Sequence, residues 1–116
     1  LSFETDPDSA LAEIKVRLNA RTSIIGLLRV GDETQERAVL LSLGDQRPVQ
    51  ALSRLGSLDI TEAAVQLSAM ISVPVARDGV GRWSHQGQMI KAGATFRFET
   101  EHYVLDGWID SVTINR

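Results

Sequence analysis

Strict alternation limits what this chain can fold into more than any other feature of its sequence. Ile14, Val16, Leu18 and Ala20 are separated by Lys15, Arg17 and Asn19, and Val65, Leu67, Ala69, Ile71, Val73 and Val75 by Gln66, Ser68, Met70, Ser72 and Pro74. Successive side chains of a strand point to opposite faces, so a period of two gives one buried face and one wet face. The second stretch has a rival reading. Asp59 and Glu62 have the spacing of a capping box, and Ile60, Ala63, Ala64, Leu67 and Ile71 lie at helical intervals. The alternation is longer and richer in β-branched residues, so it predicts a strand over 64–76, with at most one helical turn before it.

A near-repetition adds a second constraint. Leu28-Arg29-Val30-Gly31-Asp32 returns in degraded form as Ile90-Lys91-Ala92-Gly93-Ala94, and Gly44 and Gly107 stand almost as far apart as Gly31 and Gly93. The shared offset predicts two related halves, about 14–50 and 65–113, each with its glycine (Gly31, Gly93) where a strand begins. Asp6-Pro7-Asp8-Ser9 reads as a short helix start. Thr22 or Ser23 can cap a single turn through Leu28 that Gly31 stops. Residues 37–43 and 48–52 read as strands around a Gly44-Asp45 turn, with Pro48 marking an edge or a strand start. A glycine-rich loop over 77–87 follows, then closing strands over 95–100 and 103–114, in which Gly107 marks a bulge or a close backbone approach. The expected fold is mainly β with minor α: one domain over 1–116, a small, partly closed barrel.

Composition bears on function chiefly by exclusion. The chain has 116 residues, enough to bury a core without metal or disulfide, and its 43% hydrophobic content is too high for disorder. Its net charge of −3 is spread along the chain with no basic block, which argues against a nucleic-acid footprint and a polybasic membrane patch. There is no cysteine, hence no disulfide or thiol chemistry. The aliphatic run Ile24-Ile25-Gly26-Leu27-Leu28 falls far short of the roughly 20 residues of a spanning helix.

Candidates for chemistry are few. Gly79-Val80-Gly81 lacks the strand–glycine–helix context of a phosphate loop and reads as a hairpin connection. His85 and His102 have no recognisable ligand spacing, so no metal or cofactor is expected. Asp106 and Asp110, four residues apart on a strand, would stand about 13 Å apart, too far for paired-carboxylate catalysis. No serine lies in a nucleophile-elbow motif. Trp83 carries the sharpest alternatives. With Arg77 and Arg82 it forms a candidate partner-binding set, because Trp and Arg are enriched at interface hot spots. The competing reading folds its indole back as a plug over the barrel mouth, and the plug is preferred because large aromatics dominate small cores.

The alternating strand Val65–Val75, the glycine-bearing loop, Ile90-Lys91-Ala92-Gly93-Ala94-Thr95-Phe96, Tyr103-Val104 and the closing Ile109-Asp110-Ser111-Val112-Thr113-Ile114 together carry a resemblance. Over residues 64–114 the chain resembles the C-terminal part of an uncharacterised bacterial family of single-pass, membrane-anchored proteins with a β-rich extracytoplasmic domain of unknown function. The resemblance implies a periplasmic or otherwise envelope-exposed module, attached to the membrane only through a segment outside this chain. The family has no established catalytic residues to carry over. The expected role is a non-enzymatic interaction or assembly module that contacts a protein partner or a second copy of itself. The alternative is a small-molecule or glycan-binding accessory domain of a transport or regulatory protein.

Overall fold

The computed structural model describes residues 8–55 and 58–115. Strand β1 (Ser9–Arg21) turns Ala12, Ile14, Val16, Leu18 and Ala20 to one buried face and leaves Leu11, Lys15, Arg17 and Asn19 in solvent. β1 has a neighbour on each edge: β3 (Leu58–Arg77) on one and β7 (Val104–Asn115) on the other, both antiparallel. A single turn, α1 (Thr22–Ile25), leads through an irregular stretch to β2 (Val39–Leu55), which pairs with the other edge of β3. With β4 (Trp83–His85), β5 (Gln88–Met89) and β6 (Thr95–Glu99) the strands follow the order β5-β4-β3-β1-β7-β6.

The ring is open between β5 and β6, where one side chain bridges the gap. The main-chain N–H of Arg97 donates to Gln88 Oε1 at 2.7 Å, and Gln88 Nε2 donates more loosely to the Arg97 carbonyl at 3.5 Å. The side-chain amide thus stands in for a rung of the sheet. The protein is mainly β, a nearly closed six-strand barrel, as the alternation leads one to expect. Its interior is filled by Ile14, Leu18, Ile71, Phe98, Leu105 and Ile109, each no more than 2% exposed.

The repeated glycine motif folds the same way in both places. Turns over 29–32 and 91–94 are closed by Asp32 N–H to the Arg29 carbonyl (3.0 Å) and Ala94 N–H to the Lys91 carbonyl (3.1 Å). Gly31 (φ 98°) and Gly93 (φ 87°) occupy the third position, where a positive φ strains any other residue. Gly31 N–H donates to the Leu40 carbonyl and Leu40 N–H to that of Asp32. In parallel, Gly93 N–H donates to the Ile109 carbonyl and Ile109 N–H to that of Ala94. One residue past each clamp the pairing slips: β2 carries Leu41 and β7 carries Asp110 as an unmatched residue.

Several local expectations are corrected. The stretches 37–43 and 48–52 are not separate strands around a Gly44-Asp45 turn. β2 runs through both, and Gly44 and Asp45 are absorbed as an irregularity between the pairs Leu43↔Ala69 and Gln46↔Leu67, because β3 continues unbroken beside them. Pro48 fits there because, among the described strands, β2 pairs with β3 alone. Ser9 already belongs to β1, so no helix starts at Asp8-Ser9; Asp6 and Pro7 lie outside the described residues. The segment 59–62 is extended within β3, held by pairing to β2 rather than wound into a turn. α1 begins directly off β1, which leaves Thr22 and Ser23 inside the turn with Arg21 at the cap position, and Gly26, not Gly31, ends it. The β7 bulge falls at Asp110, whereas Gly107 stays in register as a point of close approach to β1. Residues 77–87 are not one loop, since they contain β4.

The β2–β3 hairpin outruns the barrel. β1 accompanies β3 only as far as the Arg21↔Ala64 pair, whereas β2 and β3 continue pairing to Leu55↔Leu58. Beyond Ala64 they form a two-stranded ribbon, and the molecule is correspondingly elongated, 60 × 28 × 23 Å.

Candidate functional site

At the β3–β4 corner the structure brings Arg77 and Trp83 together. They are register partners, and the Arg77 guanidinium carbon lies 5.1 Å from the indole centroid, within cation–π range. Arg77 also forms an ion pair with Asp8 (Nε to Oδ1 3.6 Å). Trp83 is half-buried with one side packed on the core, so it combines features of the plug and of the exposed anchor. Arg82 is turned elsewhere: its Nε donates to Asp78 Oδ2 at 3.1 Å. Asp78 organises the connecting loop, its Oδ1 accepting from the main-chain N–H groups of Val80 (2.9 Å) and Arg82 (3.0 Å). These bonds, the one from the Arg82 N–H foremost, hold its carboxyl below the usual aspartate range. Asp78 was legible in principle, since Asp-Gly is an Asx-turn signal.

A second feature lies at the seam of the barrel, where a cavity of about 390 Å³ is bounded by the 34–38 loop, the β4–β5 hairpin and β6. His85 lines it and is only 6% exposed. Its Nδ1 lies 2.6 Å from the Pro74 carbonyl oxygen. A carbonyl only accepts, so Nδ1 is the donor, which leaves Nε2 as the ring's acceptor position when the imidazole is neutral. Glu36, Glu99 and Arg97 line the same cavity. Arg97 is already engaged by Asp106, through Nε–Oδ1 at 2.8 Å and a longer second contact at 3.4 Å.

The other sequence candidates do not converge. Asp106 and Asp110 face separate arginines, Arg97 and Arg17, the latter pair at 2.9 Å. His102 is exposed in the turn after β6 and borders a different cavity from His85. Among the described residues no three histidine, aspartate or glutamate side chains are grouped to hold a metal ion. No helix among them is long and apolar enough to cross a membrane.

Tyr103 ties the first glycine turn to the last hairpin. Its hydroxyl donates to Asp32 Oδ2 at 2.6 Å, and Asp32 also accepts the Arg29 N–H at 2.9 Å. Burial first, then this bond to a carboxylate, raises the phenol well above its ordinary pKa of about 10. The folded chain therefore keeps a proton that the unfolded chain releases in alkali. The resulting stabilisation is complete below the unfolded pKa and is lost as pH rises through the folded one. Tyr103 is the sole tyrosine, so denaturant titrations of Tyr103→Phe isolate it. The variant should lose about 1 kcal/mol at neutral pH, the worth of a hydrogen bond, and decline less steeply above about pH 10. Identical alkaline slopes for the two proteins would refute this assignment.

Compared with protein-family models, curated proteins and solved structures, the chain matches none.

Proposed function

We propose that this chain is a non-enzymatic interaction and assembly module whose binding element is the β2–β3 ribbon and whose partner is a second copy of the chain. One observation carries the reading: from Gln50↔Ala63 to Leu55↔Leu58 the hairpin projects past the last pair with β1, leaving two sheet edges without a neighbouring strand among the described residues. A lone two-stranded ribbon is marginally stable in water, and its unpaired N–H and C=O groups are a template for strand addition. The resemblance over 64–114 supports an extracytoplasmic setting at a bacterial envelope, with attachment to the membrane through a segment outside this chain. The matched glycine clamps and the slips at Leu41 and Asp110 support two related halves, about 14–50 and 65–113. The arginine partners of Asp106 and Asp110 favour structural roles for both carboxylates.

Sedimentation equilibrium tests this reading. In a shortened chain, residues 50–63 are replaced by Asn-Gly, a two-residue hairpin turn that joins the paired Val49 and Ala64. The full chain should gain mass with concentration toward a dimer, and the shortened chain should remain a monomer with unchanged β circular dichroism. Equal association of both, or none in either, would dismiss the ribbon as the binding element. The second reading, a ligand-binding accessory domain, is favoured by the preformed cavity at the seam.

A further inference from the structure

We infer that the seam cavity is a receptor for a cationic group, an alkylammonium or guanidinium. The site is independent of the ribbon, so each reading can fail without the other.

One lining group of the cavity is a buried imidazole. His85 is more than nine-tenths buried, and its Nδ1 is fixed by the Pro74 carbonyl. Among the described residues no fully buried side-chain nitrogen or oxygen lacks a partner, so Nε2, which has none among them, is not sealed in the core. The ring lines the seam cavity. An incoming N–H donor can satisfy the Nε2 lone pair.

The walls add negative charge. Glu36 comes from the loop and Glu99 from β6, and Arg97, the lining cation, is ion-paired with Asp106 and lies in the field of Glu99. The same two glutamates border an adjoining cavity of about 140 Å³ that continues to Glu101. Beyond it a third, of about 270 Å³, reaches Asp32 and Glu33. With Arg97 answered by Asp106, the carboxylates are the lining charges left to raise the local concentration of a cation. Anionic ligands are disfavoured by the same field. The acceptors are also not gathered tightly enough for a metal ion among the described residues, which suits a molecule whose donors are spread over several ångströms. A planar guanidinium, with five donors in a fixed fork, suits a cavity whose acceptors come from the 34–38 loop, β4 and β6.

Calorimetric titration of the full chain tests the site with agmatine, a free small cation, and with an N-acetylated, C-amidated Gly-Arg-Gly-Arg-Gly peptide. Its neutral control is the same peptide with citrulline for arginine. At least one cationic probe should bind while the citrulline peptide does not, and the His85 ring nitrogen resonances should move on binding. In a Glu36→Gln, Glu99→Gln double variant the affinity should fall by about tenfold or more, the scale of a lost charge-assisted bond. Tighter binding of the peptide than of agmatine assigns a protein-borne arginine as the source, and equal binding assigns a free small cation. Absence of binding by both cationic probes overturns the site. So does equal binding of the citrulline peptide, undiminished affinity in the double variant, or His85 resonances that stay put. The glutamates are on the cavity wall rather than in the core, and circular dichroism of the double variant verifies that it folds. The shortened-ribbon chain should bind the probes unchanged.

Discussion

Replacing Gly107 with alanine should cost about 3–5 kcal/mol or prevent folding, at the far end of what one methyl group does. Gly107 sits in β7 opposite Leu18 of β1, in the middle of the barrel wall. A Cβ there would collide with the Arg17 carbonyl oxygen and come within 2.9 Å of Leu18 Cα. Both are main-chain atoms of a strand held on each edge, so neither can swing aside as a side-chain tip would. Gly79→Ala is the matched control, because nothing lies within 4 Å of a Cβ at that position. It should change stability by no more than about 0.5 kcal/mol. Urea denaturation of both variants is the measurement, and a mild Gly107→Ala would contradict the close approach of β1 and β7.

Phe98→Ala should rank next, at about 3–5 kcal/mol, the usual cost of emptying a buried aromatic site. Phe98 is fully buried on β6, the strand beside the seam, and its ring lies 6.2 Å from that of Tyr103. Little around it can collapse into the space, since Ile14, Leu18 and Leu105 belong to strands already paired on both sides. Phe98→Leu retains most of the volume and should lose markedly less. Similar losses for the two variants would mean that the site relaxes freely, against a barrel held rigid by its ring of strands.

How legible each element was depends on how local its determinants are. β1 and the body of β3 announce themselves because one face of each is dry and the other wet, a contrast that survives in the one-dimensional pattern. β2 hides itself. Leu41 and the Gly44-Asp45 pair interrupt its parity, and two turn-forming residues in a row look like a chain reversal when the neighbour that keeps them extended, β3, lies far along the chain. The length of β3 was underestimated for a related reason: nothing within 58–63 distinguishes a strand with partners on both edges from one with a single partner. The contact of Arg77 with Trp83 was anticipated from their common segment, whereas the turn of Arg82 toward Asp78 depends on loop geometry that spacing does not encode. The seam cavity was not legible at all. Its walls come from 34–38, 85–88 and 97–99, and only the folding of the barrel brings them together. His85 is the clearest case: adjacent to Ser84 in a polar stretch, it gives no sign in sequence that it will be buried against Pro74.

Hydrogen–deuterium exchange of the full chain, followed as a function of protein concentration, addresses the assembly reading most directly. At low concentration the amides of 50–55 and 58–63 should exchange far faster than those of β1, which has partners on both edges. As concentration rises, protection should appear in the ribbon while β1 and β7 stay as protected as before. Ribbon amides that exchange at the same fast rate at every concentration, or protection that grows instead on the barrel wall, would contradict assembly through the ribbon.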